Sequence, residues 1–169
     1  MKSLIVYSSK TGNTKKIAKA VYQILPEPKE IYPVEKAPAP DDFDFIGLGF
    51  WVNRGTADKK AQQYMNKIKN KQVGLFGTLG AYPDSDHAKK CLSRVKELIT
   101  GNELLGIFLC QGRVDPQVIE QMAKIAPESH PMTDERKKRL KEAEKHPDEK
   151  DCHNAQAAFK DMLQLIKEI

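Results

Sequence analysis

Ser8-Ser9-Lys10-Thr11-Gly12-Asn13-Thr14 gathers four hydroxyls, one lysine and one glycine into a single short segment. Residues of these types hold phosphates. Hydroxyls donate hydrogen bonds to phosphate oxygens, and a glycine lets the backbone come close. The segment leaves the apolar run Leu4-Ile5-Val6-Tyr7 and enters a stretch with Ile17, Ala18, Val21 and Leu25 at helical spacing. It therefore ends on a helix N-terminus, where unpaired amides and the helix dipole favour an anion. Neither G-x-x-x-x-G-K-[ST] nor G-x-G-x-x-G occurs, so the triphosphate and dinucleotide loops of those types are excluded. A hydroxyl-rich loop with one glycine suits a terminal monoester phosphate.

Two further segments leave apolar runs in the same way. Phe50-Trp51-Val52-Asn53-Arg54-Gly55-Thr56 holds the only tryptophan of the chain, either a core residue or a flat wall for an aromatic ring. Thr78-Leu79-Gly80-Ala81-Tyr82-Pro83-Asp84 offers a second planar side chain, Tyr82. All three segments follow the carboxyl ends of predicted parallel strands, the edge at which open α/β sheets bind ligands. Together they describe a flat ring between two walls, with a phosphorylated tail. Cys110-Gln111-Gly112-Arg113 follows the last strand on the same edge. A reactive thiol there needs exposure and a lowered pKa, and a small core residue is the simpler reading. His87, His130, His146 and His153, with Cys152, show no tetrahedral ligand spacing, so no metal site is expected. No catalytic side chain is assigned.

The elements that must position these loops alternate along the chain. Strands are predicted at Lys2–Tyr7, Glu30–Val34, Phe43–Phe50, Gln72–Thr78 and Leu104–Leu109. Residues 4–7, 45–50 and 104–109 are almost continuously apolar, as in strands covered on both faces. Helices are predicted at Thr14–Leu25, Ala57–Lys69, Asp86–Leu98, Pro116–Ile125 and Asp151–Ile169, the last with Ala155, Phe159, Met162, Leu163 and Ile166 on one stripe. This alternation predicts an α/β three-layer sandwich. Residues 127–150 break the scheme: three prolines bracket a charged helical segment, Asp134–His146, that Thr133 can cap. It is read as a surface connection before the final helix, with a partner surface as the alternative.

The 169 residues suit one domain, 1–169. No apolar run approaches the roughly 20 residues that span a bilayer, and the start reads as a strand, so a cytoplasmic protein that binds no membrane is expected. Three widely spaced cysteines support neither a disulfide framework nor a C-x-x-C site. The formal charge is +5, but the run Arg136-Lys137-Lys138-Arg139 lies among acids, and no aromatic basic stripe points to nucleic acid.

Ser9-Lys10-Thr11-Gly12-Asn13-Thr14 resembles the S/T-x-T-G-x-T phosphate loop of flavodoxins. The whole chain is compatible with the short-chain flavodoxin layout, a five-stranded parallel sheet of order 2-1-3-4-5. Phe50–Asp58 and Gly77–Asp86 are also similar to a bacterial flavodoxin-like group, one branch of which accompanies bacterial bilirubin reductase. The resemblance implies FMN, with its phosphate on Ser8, Ser9, Lys10, Thr11, Gly12, Asn13 and Thr14. The ring would lie among Trp51, Val52, Asn53, Arg54 and Gly55 on one side and Thr78, Leu79, Gly80, Tyr82 and Asp84 on the other. The backbone carbonyl that would bond flavin N5 belongs either to Gly55 or to Trp51–Asn53. The implied function is electron transfer between a reductase and an acceptor enzyme. The alternatives are direct oxidation or reduction of a quinone, tetrapyrrole or similar conjugated molecule, and a non-redox module that has lost its flavin. Typical flavodoxins are strongly acidic. This chain is net basic, with Lys10 in the phosphate loop and Arg54 in the ring loop, so anionic reduced FMN is expected to form more easily and the basic balance to favour an acidic partner protein.

Overall fold

The computed structural model describes residues 1–167; the predicted end of the last helix at 168–169 lies outside them. Its elements in chain order are β1 (Ser3–Tyr7), α1 (Asn13–Ile24), β2 (Lys29–Pro33), a 3₁₀ turn (Val34–Lys36), β3 (Phe45–Asn53), β4 (Thr56–Ala57), α2 (Lys59–Met65) and β5 (Gln72–Leu79). They continue with α3 (Asp86–Leu98), β6 (Glu103–Gln111), α4 (Pro116–Ile125), α5 (Asp134–Ala143) and α6 (Glu149–Lys167). Five strands form a parallel sheet of order β2-β1-β3-β5-β6, and β4 pairs antiparallel with the end of β3. Counting the parallel strands alone, this is the expected 2-1-3-4-5 order.

The two faces of the sheet explain the continuous apolar runs. Leu4, Val6, Ile46, Leu48, Phe50 and Leu75 pack with α2 and α3 through Ala61, Tyr64, Met65, Val95 and Ile99. Ile5, Phe45 and Phe76 pack with α1 and α6 through Ile17, Val21, Ala155, Phe159 and Met162. Strands covered on both sides need apolar residues at odd and even positions alike. Phe159 sits edge-on to Phe76 and Phe45, with ring centroids 5.8 and 6.3 Å away. A Cβ at Gly74 would lie 2.9 Å from the Phe159 ring, so α6 reaches the sheet over a bare backbone. One expectation fails here. Leu104–Leu109 is only half-buried, because β6 is an edge strand with β5 as its one neighbour.

Caps set the helix starts. The side chains of Asp58, Ser85 and Thr133 accept the amides of Ala61, Ala88 and Arg136 at 3.2, 3.2 and 3.1 Å. Asp58 therefore starts α2 two residues after the predicted Ala57. Past Met65 the chain tightens into i→i+3 turns that still bury Ile68, so the apolar spacing runs beyond the helix itself.

Candidate functional site

A cleft of about 720 Å³ opens at the carboxyl edge of the sheet. It is bounded by the loop after β1, the β3–β4 turn, the loop after β5, the segment after β6, and one side of α4 and α5. The predicted residues Ser9, Lys10, Thr11, Asn13, Thr14, Trp51, Val52, Asn53, Arg54, Gly55, Thr78, Leu79, Gly80 and Tyr82 all line it. Ser8, Gly12 and Asp84 do not: Ser8 is buried behind the loop, and Gly12 and Asp84 face solvent.

The β1–α1 loop is shaped by its own hydroxyls. Ser9 Oγ accepts the amides of Gly12 and Lys15 at 3.2 and 3.3 Å, and Gly12 sits at φ +94°, where a side chain would strain the turn. Thr14 Oγ1 turns inward, 3.0 Å from Thr78 Oγ1 and 3.4 Å from the Phe50 carbonyl, tying the start of α1 to the ends of β3 and β5. The amides of Thr11, Asn13 and Thr14 have no acceptor among the described residues, and neither does the Thr11 hydroxyl. Three free donors at a helix start fit a phosphate. Asn13 Nδ2 donates to the Arg113 carbonyl at 2.9 Å, so the loop is braced by the segment after β6.

The second predicted loop is a β-hairpin. β3 runs on through Trp51 to Asn53 and reverses at Arg54 and Gly55, whose φ angles are +52° and +79°. Two positive φ values are what a two-residue turn between right-twisted strands requires. The signal in the sequence was Asn53-Arg54-Gly55-Thr56, with its glycine at the second turn position. Arg54 is strained there, a non-glycine residue in the left-handed region at a cost of roughly 1–2 kcal/mol. Arg94 Nη1 on α3 donates to the Gly55 carbonyl at 3.1 Å and holds the tip from behind.

Asp58 anchors the base of that hairpin, and sequence reasoning did not assign it to the site. Its carboxylate is buried and accepts from Ser8 Oγ at 2.5 Å, the Trp51 amide at 3.1 Å and the Ala61 amide at 3.2 Å. Its own amide donates to the Trp51 carbonyl at 3.0 Å. One residue thus couples the phosphate-loop strand, the Trp51 strand and the start of α2. The legible signal was an aspartate just ahead of a helix, the N-cap pattern. Of the carbonyl candidates named above, that of Gly55 already accepts from Arg94, and within Trp51–Asn53 that of Trp51 already accepts from the Asp58 amide.

Trp51 is half-buried on the cleft wall with Lys10 Nζ 5.9 Å from its ring centroid, and Tyr82 is 40% exposed across the opening. Lys10 also lies 3.7 Å from Asp115. Among the described residues, Asp115 is the only carboxylate lining the cleft, against six cations: Lys10, Arg54, Arg94, Arg113, Arg136 and Arg139. None of these arginines is in an ion pair among the described residues. Segment 127–150, expected to be a surface connection, is largely exposed, and it also lines the cleft through His130, Arg136, Arg139 and Leu140. A turn at its end fastens it. His146 Nδ1 lies 2.6 Å from Asp151 Oδ2, the His146 carbonyl accepts the Arg113 amide, and the Pro147 carbonyl accepts Lys16 Nζ. Asp151 holds the His146 imidazole above its usual pKa. Burial pushes the thiols of Cys110, Cys91 and Cys152 up, which makes them packing residues.

The Flavodoxin domain family matches residues 4–160. The flavodoxin-like domain-containing protein BilS of Clostridioides difficile (strain CD3) is 34% identical over 171 aligned residues, covering 96% of this chain and 97% of its own. Among solved structures, flavodoxin 2 from Bacillus cereus superposes with a TM-score of 0.61 at 18% identity, over 97% of this chain and 99% of that one. A flavoprotein from Lactobacillus acidophilus NCFM, solved in complex with FMN, superposes with a TM-score of 0.54 at 17% identity, over 71% of this chain and 97% of that one.

Proposed function

The chain belongs to the flavodoxin family, and on that footing we propose that it binds FMN and shuttles electrons between a reductase and an acceptor enzyme. One observation carries the proposal: a loop with three free helix-start amides and two aromatic walls, Trp51 and Tyr82, share one cleft. FMN supplies one- and two-electron transfer at its ring when bound. The residues of this chain bind, orient and tune. The amides of Thr11, Asn13 and Thr14 and the Thr11 hydroxyl hold the phosphate. Trp51 and Tyr82 bound the ring, and the exposure of Tyr82 leaves a ring edge within reach of a partner. Arg54, kept at a strained turn position, places a cation beside the ring and favours the anionic reduced form. The basic cleft supports an acidic partner, whose docking would be weak and salt-sensitive. The FMN-bound flavoprotein of the same fold supports the choice of cofactor.

The test is titration of FMN into flavin-free protein, read by quenching of flavin fluorescence. Saturation at one FMN per chain is expected. Protein that stays colourless and leaves the fluorescence unquenched refutes the proposal. Stopped-flow reoxidation, with and without an acceptor protein, then separates a carrier from an enzyme. A second reading, direct oxidoreduction of a conjugated small molecule, is favoured by the wall that α4 and α5 raise over the cleft.

A further inference from the structure

We propose that the α4–α5 wall carries a second anion subsite, centred on Arg139, that takes the carboxylate of a small organic molecule with an apolar body. The inference rests on the second reading above and names its substrate class. Arg139 Nε is fully buried and has no hydrogen-bond partner among the described residues. Nε is sealed from a ligand as well as from water, but the Nη nitrogens, which also make no hydrogen bond among the described residues, are open to the cleft, and an anion bound there would offset the cost of holding this half-buried guanidinium unpaired. The planar fork of arginine matches a carboxylate in bidentate geometry. Arg136, one turn before Arg139 on α5, is tied by Nη1 to the His130 carbonyl, and the Thr133 cap orders the same end of the helix.

Two further observations narrow the ligand. The first is charge. One carboxylate against six cations leaves a surplus of five, and a phosphate monoester accounts for about two of these. Positive charge therefore remains after the β1–α1 loop has taken its phosphate. The second is the company Arg139 keeps. Val118, Ile119 and Met122 on α4 and Leu140, next to Arg139 on α5, line the same cleft. Apolar walls with a few converging polar groups select an organic ligand over an inorganic ion. The subsite also lies on a different element from the phosphate loop. A molecule held there by its carboxylate would share the cleft with the ring walls Trp51 and Tyr82.

The experiment is calorimetric titration of naphthoate, and of its uncharged analogue acetylnaphthalene, into FMN-loaded and flavin-free protein. Wild type is compared with Arg139→Gln and Arg139→Lys. Arg139→Gln is expected to weaken naphthoate binding about tenfold or more, the loss of roughly 1.4 kcal/mol. Arg139→Lys, which keeps the charge and loses the fork, is expected to fall between. Acetylnaphthalene should bind more weakly than naphthoate and equally to all three proteins, and FMN affinity should stay within about threefold. Unchanged naphthoate affinity in Arg139→Gln would overturn the subsite, as would equal binding of the two probes. So would an equal loss of FMN affinity, since Arg139 would then serve the FMN phosphate. Circular dichroism melts establish that each variant is folded, and Arg136→Gln repeats the test if Arg139→Gln is not. If no FMN binds, the cofactor reading fails, while naphthoate binding to flavin-free protein still decides the subsite.

Discussion

Asp58 receives three donors from three elements, and truncating it tests whether that junction holds the cleft together. In Asp58→Ala the Ser8 hydroxyl and the Trp51 amide lose their acceptor within the interior, and α2 loses its cap. A lost N-cap costs about 1 kcal/mol, and each buried donor left unpaired costs roughly 1–3 kcal/mol. Allowing for partial rehydration, the expected destabilisation is about 3–5 kcal/mol, a large share of the roughly 5–15 kcal/mol available to a typical domain. Asp58→Asn keeps one acceptor oxygen, and the Ser8 hydroxyl can rotate to accept from the new amide, so about 1–2 kcal/mol is expected. Ser8→Ala removes one donor and leaves the carboxylate its two backbone amides, at about 1 kcal/mol. Urea unfolding followed by far-UV circular dichroism gives these values, and Trp51 fluorescence reports on the hairpin locally. FMN affinity should fall in the same order as stability. If Asp58→Ala loses less than about 1 kcal/mol and leaves Trp51 emission unchanged, the junction does not organise the cleft.

Gly49→Ala would set a Cβ against the Phe76 ring and 2.9 Å from Thr14 Cγ2, so overpacking of about 1–3 kcal/mol is expected in thermal melts, with weakened FMN binding through Thr14. Arg54→Gln preserves the strained turn but removes its charge; anaerobic redox titration should show a more negative potential for the second reduction step, and an unchanged value would remove Arg54 from the tuning. Arg94→Ala frees the Gly55 carbonyl, so faster hydrogen exchange at Arg54 and Gly55 is expected with little change in global stability. The His146 pKa is raised, first by the hydrogen bond to Asp151 and also by Glu142 and Asp148, so its stabilisation is complete below the unfolded value near 6.5. That stabilisation is lost as pH rises through the folded value. The gap in stability between wild type and His146→Gln should therefore narrow from about pH 6 upward, and a constant gap would refute the linkage.

What one chain segment decides alone was legible in the residues. The continuous apolar runs of β1 and β3 announced strands buried on both faces, the polar residues 8–12 announced the loop between β1 and α1, and the stripe from Ala155 to Ile166 announced the docking face of α6. These signals are local because periodicity and loop composition reflect the environment each segment must enter. In the sequence the hairpin at Arg54-Gly55 looks like a loop, since a two-residue β4 leaves almost no periodic pattern. Leu104–Leu109 looks doubly covered, because an apolar run does not record how many neighbouring strands it has.

The sequence by itself determined the alternation of strands and helices, the three layers this builds and the edge at which the loops after β1, β3 and β5 gather. The tertiary structure decided which polar groups are already spent. Ser8 and Thr14 carry the same hydroxyl chemistry as Thr11, yet one is bound to Asp58 and the other to Thr78. It also decided that 127–150 lines the cleft, where Arg136 and Arg139 join Lys10, Arg54, Arg94 and Arg113 around one space. Residues such as Lys10 and Arg139 are far apart in the chain, and their shared field exists only once the fold places them around one space.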